Sequence, residues 1–174
     1  MGKENVRDHE MHAESITISK KTILKILEKI NDPIIITGTT TMRTIESLYW
    51  FGTKLLIDKH APLEININQW DPYNPVYNCA IPASESLMAT IHFMEENGLD
   101  EISGFTQLMI IPGYKFRIPK ILITNFHMPK STLLLLVSAF IGDDWKEAYN
   151  YALKNDFRFL SYGDSCLFFK QNEE

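Results

Sequence analysis

Residues 125–132 bring together side chains that could exchange protons and side chains that could bind an anion. His127 follows an apolar strand pattern, and an imidazole there could exchange protons near neutral pH or hydrogen-bond a substrate. Lys130 and Ser131 precede an apolar helix pattern, so an ammonium, a hydroxyl and backbone N–H groups could hold a phosphate or a carboxylate. The structural alternatives are a hydrogen-bonded histidine and a helix cap. The glycine-rich turn that precedes Lys-Ser in a P-loop is absent, which argues against that NTPase class.

Two other segments could present polar groups to a ligand. Residues 38–41 (Gly-Thr-Thr-Thr) follow a short apolar run and precede a helix pattern, so this turn could approach a ligand through its backbone or simply cap the helix. Arg43 and Glu46 lie on one side of that helix, where a surface ion pair would add only about 0.3–0.5 kcal/mol. Asp164 could be a carboxylate on a glycine turn or ordinary turn chemistry. Arg158 needs a partner if it is buried; otherwise its stem covers neighbouring aromatic rings.

A histidine pair near the N-terminus gives only weak evidence for a metal site. His9 and His12 are three residues apart, with Asp8 and Glu14 nearby. No third ligand follows at a spacing typical of zinc sites, so the sequence predicts no metal there.

The composition restricts the classes of protein that fit. The 174 residues, 45% hydrophobic and 22% charged, suit one α/β or α+β domain with a sizeable core. The net charge of −5 gives no overall basic field for nucleic acid, although a local Lys/Arg face could still bind it. Cys79 and Cys166 are far apart, which favours a reducing cytoplasm over a disulfide framework. The longest apolar run, 133–137, is far shorter than the roughly 20 residues that cross a bilayer.

Hydrophobic periodicity predicts the elements that position these residues. In the first third of the chain it predicts a strand at 14–18, a helix capped by Ser19, a strand at 34–36 covered on both faces, and a helix from 39 to about Phe51, stopped by Gly52. Further along it predicts a helix from Ser84 to about Asn97, strands at 105–111, 115–118, 121–126 and 165–169, an enclosed apolar helix at 131–140, and a helix ending near Asn155.

Five motifs, in a fixed order, resemble one known family. They are Asp-His-Glu-Met-His-Ala-Glu (8–14), Gly-Thr-Thr-Thr-Met-Arg-Thr-Ile-Glu (38–46), Pro-Gly-Tyr-Lys-Phe (112–116), the block 124–132, and Arg-Phe-Leu-Ser-Tyr-Gly-Asp (158–164). The chain is similar over nearly its whole length to the S-adenosylmethionine:tRNA ribosyltransferase-isomerases of queuosine biosynthesis.

The resemblance implies a specific reaction. Such an enzyme moves the ribosyl part of S-adenosylmethionine onto the aminomethyl group of 7-aminomethyl-7-deazaguanine in the tRNA anticodon, releases adenine and methionine, and forms epoxyqueuosine. It implies S-adenosylmethionine as a substrate with no further cofactor, tRNA as the partner, a cytoplasmic location without a membrane, and a monomeric full-length enzyme. For the fold it implies an α/β class, with a layered sheet flanked by helices, that is the C-terminal part of the family's α/β domain without the family's β-barrel.

The resemblance also suggests roles for individual residues. It points to His127, His12 and Asp164 as catalytic candidates. It points to Glu14, Gly38, Thr39, Thr40, Arg43, Glu46, Asn125, Lys130, Ser131, Arg158 and Tyr162 as substrate-binding candidates. Within these sets, His127 or His12 would transfer a proton, Asp164 or Glu14 would contact the cation and the ribose, and Arg43, Lys130 and the Gly38–Thr40 turn would hold anionic groups.

Two departures from the family pattern shape the expectation for this chain. It starts near the family's histidine-rich stretch, so we expect a single α/β domain that folds alone but turns over poorly. Residues 63–104 are longer than the usual link between the Gly-Thr-Thr helix and the Pro-Gly-Tyr segment, which predicts an inserted segment. The alternatives are a non-catalytic fragment that binds S-adenosylmethionine or a nucleoside and, more remotely, a phosphate-binding hydrolase, against which the missing P-loop and nucleophile elbow argue.

Overall fold

Two three-stranded sheets and five α-helices form the part of the chain that the structure describes. The computed structural model describes residues 10–58, 63–77 and 80–171. The elements in chain order are β1 (Glu14–Ser19), α1 (Lys20–Glu28), β2 (Ile35–Thr37), α2 (Thr39–Ile57), β3 (Ile65–Ile67), two 3-10 turns (Asp71–Tyr73 and Pro75–Tyr77), α3 (Ala83–Glu96), β4 (Glu101–Thr106), β5 (Ile121–Asn125), α4 (Thr132–Ile141), α5 (Asp144–Lys154) and β6 (Ser165–Phe169). The predicted α/β class is confirmed. No helix among the described residues is long and apolar enough to span a membrane.

Each sheet mixes parallel and antiparallel pairing. Sheet A has the order β1-β4-β3, with β1 antiparallel and β3 parallel to the central β4. Sheet B has the order β2-β5-β6, with β2 parallel and β6 antiparallel to the central β5. The carboxyl ends of the parallel strands therefore meet at one edge of each sheet, the position at which ligands bind in open α/β sheets.

Helix α2 lies at the centre of the core. Four consecutive residues, Leu48, Tyr49, Trp50 and Phe51, are each at most 3% exposed, so the helix is surrounded by protein in this stretch. The predicted stop at Gly52 is wrong, because α2 continues to Ile57. Gly52 serves packing instead: a Cβ at this position would overlap the backbone carbonyl of Ser86 in α3. The missing side chain lets the two helices approach closely.

Residues 63–104 contribute directly to the core. They supply β3, α3 and the first part of β4. Ile65 and Leu87 are fully buried, and Ile102 is 1% exposed. This segment is therefore integral to sheet A and its helical cover; its status as an insertion relative to the family, like the single-domain organisation, stays a prediction.

Three strand predictions differ from the structure. The strand at 34–36 was expected to be covered on both faces, but β2 is an edge strand whose Ile35 is 55% exposed. The strand expected at 105–111 ends at Thr106, whose hydroxyl accepts a hydrogen bond from the Leu108 N–H and so turns the chain. The strand expected at 115–118 is absent, because the N–H groups of Arg117 and Ile118 donate to a side-chain carboxylate rather than to a neighbouring strand.

A helix cap and the last strand agree with the predictions from the sequence. Ser19 accepts a hydrogen bond from the Thr22 N–H and caps α1, as predicted. The final strand, β6, has the predicted bounds of 165–169.

Helix α4 was expected to be enclosed, but Leu133 and Leu135 are only half-buried, so within the described residues one side of α4 is not fully covered.

Candidate active site at the carboxyl edge of sheet B

Three of the predicted site segments meet at one edge of sheet B. Strand β2 ends at Thr37, which lies opposite Ile123 of β5. Strand β5 ends at Asn125, which lies opposite Ser165, the first residue of β6. The turn after β2, the loop after β5 and the loop before β6 therefore lie side by side at this edge.

The turn after β2 is fixed to β5 by its backbone. The Gly38 N–H donates to the Ile123 carbonyl at 2.8 Å, and Gly38 has a φ of 87°, a conformation that glycine adopts without strain. Helix α2 starts at Thr39, which is buried, while Thr40 is exposed. The first N–H groups of a 19-residue helix thus begin at the edge, where the helix field favours an anion.

His127 is almost enclosed in the loop after β5. It is 9% exposed, its Nε2 lies 2.9 Å from the Thr124 hydroxyl, and its backbone N–H donates to the Tyr149 hydroxyl at 3.0 Å. Burial lowers the pKa of His127 from its ordinary value of 6.5. The ring is therefore neutral at pH 7, and a neutral imidazole can accept a proton.

Lys130 and Ser131 lie at the start of α4. The Ser131 hydroxyl accepts from the Leu134 N–H and donates to the Met128 carbonyl, so Ser131 is the N-cap of the helix. Lys130 is exposed and has a positive φ of 62°. A non-glycine residue in this left-handed region is uncommon, and here it turns the chain into the helix while its ammonium stays accessible.

The loop before β6 is tied to the loop after β5. The Asn125 side-chain NH₂ donates to the carbonyls of Gly163 and Asp164 at 3.1 and 3.4 Å. The Asp164 carboxylate accepts from the Arg158 N–H at 2.8 Å and lies 3.4 Å from its guanidinium, and these contacts lower the pKa of Asp164. Tyr162 is 97% exposed at the tip of this loop.

Glu14 and Arg43 form an ion pair between sheet A and α2. The two side chains meet at 2.8 Å, and Arg43 is only 5% exposed. The Arg43 Nε and Nη2 atoms and the Glu14 Oε2 atom are buried without a hydrogen-bond partner among the described residues. Burial lowers the pKa of Arg43 and the Glu14 carboxylate opposes that change. A buried guanidinium with spare donors is suited to a second anionic group.

Glu46 has a different environment from the other candidates. It is fully buried, and its carboxylate accepts from the Tyr114 hydroxyl at 2.6 Å and from the N–H groups of Arg117 and Ile118. Burial raises the pKa of Glu46, and these donors act against that rise. Arg43 and Glu46 therefore do not form the surface ion pair considered as an alternative above, since both residues are buried and each has other partners. Their roles as substrate-binding residues stay predictions.

The structure thus brings together ten of the fourteen candidates at one edge; the exceptions are His12, Glu14, Arg43 and Glu46. The edge of sheet B gathers Gly38, Thr39, Thr40, Asn125, His127, Lys130, Ser131, Arg158, Tyr162 and Asp164. His12 is exposed and lies with Glu14 at the start of β1 in sheet A, and Glu46 organises the 114–118 segment. The predicted histidine pair includes His9, which, like Asp8, lies outside the described residues. Within residues 10–58, 63–77 and 80–171, no group of three His, Cys, Asp or Glu side chains could hold a metal ion.

Sequence reasoning missed two residues that contact His127. Thr124 contacts its ring, and Tyr149 accepts its backbone N–H. Thr124 could have been found, because it precedes His127 by three residues at the end of a predicted strand. Nothing in the local pattern around Tyr149 points to a partner 22 residues away.

This arrangement gives the chain an α/β fold with a candidate ligand site at the carboxyl edge of its parallel strands, flanked by the N-termini of two helices. The sequence model of the family described as "Queuosine biosynthesis protein" matches residues 1–168. The chain belongs to this family, which confirms the resemblance inferred from its motifs.

Individual relatives give the same result. The chain is 34% identical over 168 residues to the S-adenosylmethionine:tRNA ribosyltransferase-isomerase of Clostridium kluyveri, covering 94% of this chain and 36% of that protein. It is 36% identical over 173 residues to the enzyme of the same name from Vesicomyosocius okutanii, covering 98% of this chain and 38% of that one. The chain spans little more than a third of the length of these curated relatives.

A solved structure supports the fold assignment. The crystal structure of S-adenosylmethionine tRNA ribosyltransferase from Thermotoga maritima is 29% identical, with a TM-score of 0.56. The match covers 88% of this chain and 39% of that one.

Proposed function

We propose that this chain provides the catalytic edge for transfer and isomerisation of the ribosyl moiety of S-adenosylmethionine onto 7-aminomethyl-7-deazaguanine in tRNA, in the cytoplasm. The products are epoxyqueuosine in the tRNA, adenine and methionine. The observation that carries the proposal is the edge of sheet B, where a neutral, nearly buried His127 lies between two helix N-termini and the loop that holds Asp164. Family membership supplies the reaction class.

His127 is the proposed base. The protons beside a sulfonium are acidic, and their removal needs a group that is unprotonated at neutral pH. Burial keeps the His127 imidazole neutral. The Thr124 hydroxyl lies 2.9 Å from Nε2. In the tautomer that this proposal requires, Nε2–H donates to that hydroxyl and Nδ1 takes up the proton. His12 is the other proposed proton-transfer residue; it is exposed just before the start of β1.

The cationic groups are the proposed anion sites. Arg43 has two buried nitrogen atoms without partners among the described residues, which suits the methionine carboxylate. Lys130 and the Gly38–Thr40 turn are accessible at helix N-termini and suit phosphate or carboxylate groups. Asp164 and Glu14 are the proposed contacts for the sulfonium and the ribose hydroxyls, because both carboxylates lie beside the cationic groups that hold them in place.

A chimeric enzyme tests this proposal. The matched third of the Clostridium kluyveri enzyme is replaced by residues 1–168 of this chain, and release of adenine and formation of epoxyqueuosine are measured with S-adenosylmethionine and substrate tRNA. We expect turnover, and a fall of about 10²–10⁴-fold in kcat on His127→Ala, the usual contribution of a well-placed base. His92→Ala is the control, because His92 is an exposed residue of α3. Unchanged turnover with His127→Ala would remove this residue from the mechanism.

The isolated chain is expected to behave differently from the chimera. Because it spans about a third of its relatives, we propose that residues 1–174 alone form no measurable product. The second candidate function, a fragment that binds S-adenosylmethionine without completing the reaction, fits the same observation. Calorimetry with S-adenosylmethionine, run beside the turnover assay, separates binding from catalysis, and robust epoxyqueuosine formation by the isolated chain would contradict the expectation.

A further inference from the structure

An open cavity of about 600 Å³ lies at the carboxyl edge of sheet A. Strand β3 ends at Ile67 and β4 ends at Thr106, and the next residues, Asn68 and Gln107, line the cavity. Its volume is within the range of about 300–1,000 Å³ found for small-molecule sites. The cavity belongs to the 63–104 segment and the adjoining end of β4, and none of the candidate residues at the edge of sheet B lines it.

The walls of this cavity combine aromatic rings with side-chain amides. Trp70 and Tyr73 have ring centroids 5.6 Å apart, and neither ring is fully buried. Asn68 and Asn74 are exposed beside them. A planar amide carries a donor and an acceptor side by side, which matches the edge of a nucleobase, and aromatic rings stack on the faces of such bases.

The charge of the cavity favours a neutral ligand. Asp71 is the one ionisable carboxylate among the lining residues, and Lys54 neutralises it at 2.6 Å. The same carboxylate oxygen accepts a hydrogen bond from the Asn68 N–H. A phosphate would meet no unpaired cation in this lining. A neutral nucleobase would lose little hydration free energy on moving from water into the cavity.

The cavity is held in shape before any ligand binds. The Tyr73 hydroxyl donates to the Met109 carbonyl and accepts from the Ile111 N–H. The Met11 backbone is held on both sides: its N–H donates to the side-chain oxygen Oε1 of Gln69 at 3.0 Å, and its carbonyl accepts from the side-chain NH₂ of Gln107 at 2.9 Å. These contacts fix the chain just before His12 to the cavity wall, so a ligand bound there lies next to the start of β1. Preorganisation of this kind reduces the entropic cost of binding.

We infer that this cavity binds a nucleobase, stacked on Trp70 and hydrogen-bonded by the amides around it. The inference rests on the proposed function for the source of the base. Two sources share this chemistry, the adenine of S-adenosylmethionine and a base of the tRNA anticodon loop.

Calorimetric titrations of residues 1–174 with adenosine, S-adenosylmethionine and an unmodified tRNA anticodon stem-loop test the inference. At least one probe is expected to bind and to lose about 5- to 140-fold in affinity on Trp70→Ala, the usual worth of one base stacked on an aromatic ring. Trp70→Phe should restore most of the affinity. Tyr151→Ala, which removes a ring that is 61% exposed on α5, is the matched control and should have no effect.

The probes distinguish the two sources of the base. Trp70 dependence for both adenosine and S-adenosylmethionine assigns the cavity to the adenine nucleoside, and dependence for the stem-loop alone assigns it to tRNA. If Trp70→Ala, still folded by thermal unfolding, alters the binding of no probe, the inference is wrong. Failure of the proposed function gives a different pattern: the chimera then transfers no ribosyl group although Trp70-dependent binding persists.

Discussion

Replacing Glu46 should reveal how much stability one buried carboxylate provides to the 114–118 segment. In Glu46→Ala three donors lose their acceptor together: the Tyr114 hydroxyl and the N–H groups of Arg117 and Ile118. A buried donor left without a partner costs about 1–3 kcal/mol, so the three lost hydrogen bonds alone would lower the free energy of unfolding by about 3 kcal/mol or more. Part of this loss is offset because the buried carboxylate itself is unfavourable, as its raised pKa shows.

Glu46→Gln separates the charge from the hydrogen bonds. The amide oxygen of glutamine can still accept from both backbone N–H groups, so only the bond from the Tyr114 hydroxyl is lost. That hydroxyl also accepts from the Trp50 Nε1–H at 2.8 Å and cannot turn its proton toward an amide NH₂. We therefore expect Glu46→Gln to cost about 1 kcal/mol, well below the alanine variant.

Urea unfolding of residues 1–174, followed by far-ultraviolet circular dichroism, measures both variants. Glu28→Ala is the control, because Glu28 is exposed on α1 and such changes usually stay within about 0.5 kcal/mol. The reasoning is refuted if Glu46→Ala costs less than about 1 kcal/mol, or if the glutamine variant is the less stable of the two.

Three other predictions concern His127, Gly52 and Cys166. Because burial lowers the pKa of His127 below 6.5, the unfolded chain takes up the proton at a higher pH than the folded chain does. The free energy of unfolding should therefore fall as the pH drops through 6.5 toward the folded pKa. Urea unfolding of His127→Gln should show a smaller loss of stability between about pH 7.5 and about pH 5.5 than the unmodified chain shows. Gly52→Ala should lower the melting temperature despite the higher helix propensity of alanine, because its Cβ would overlap the Ser86 carbonyl; an unchanged or higher melting temperature would contradict this close contact. Burial raises the pKa of Cys166 to about 12, so iodoacetamide at pH 8 should label a Cys79→Ser variant slowly when folded and rapidly in urea; equal rates would contradict the burial.

Elements defined by local patterns could be predicted from the sequence. The bounds of β6, the Ser19 cap of α1 and the end of α3 near Asn97 depend on residues within a turn of each other. The grouping of the Gly38 turn, the His127 loop and the Asp164 loop was also accessible, because each flanks a strand of predictable type.

Features that depend on distant partners could not be predicted. The backbone at 115–118 has an alternating pattern typical of a strand, yet its N–H groups bind a carboxylate 71 and 72 residues earlier in the chain. The spacing of Arg43 and Glu46 left a surface ion pair open as an alternative, because spacing along a helix shows which residues share a side and does not show what faces that side. Gly52 was interpreted as a helix stop because only the tertiary contact with Ser86 explains its use inside α2.

Helix α2 connects the two sheet edges that carry the proposed sites. It begins at the Gly38 turn on the edge of sheet B, and Arg43 lies only about 7.5 Å further along its axis, since an α-helix rises 1.5 Å per residue. Arg43 reaches Glu14 at the start of β1, and one turn later the Ser47 hydroxyl bonds that of Thr106 at the end of β4. The starts of β1 and α2 and the end of β4 therefore lie on the same side of the molecule. The proposed reaction moves the ribosyl part of S-adenosylmethionine onto a base in tRNA and releases adenine, so both heterocycles must be bound at once. An edge for proton transfer and a cavity for a stacked base on the same side of the molecule would meet that need.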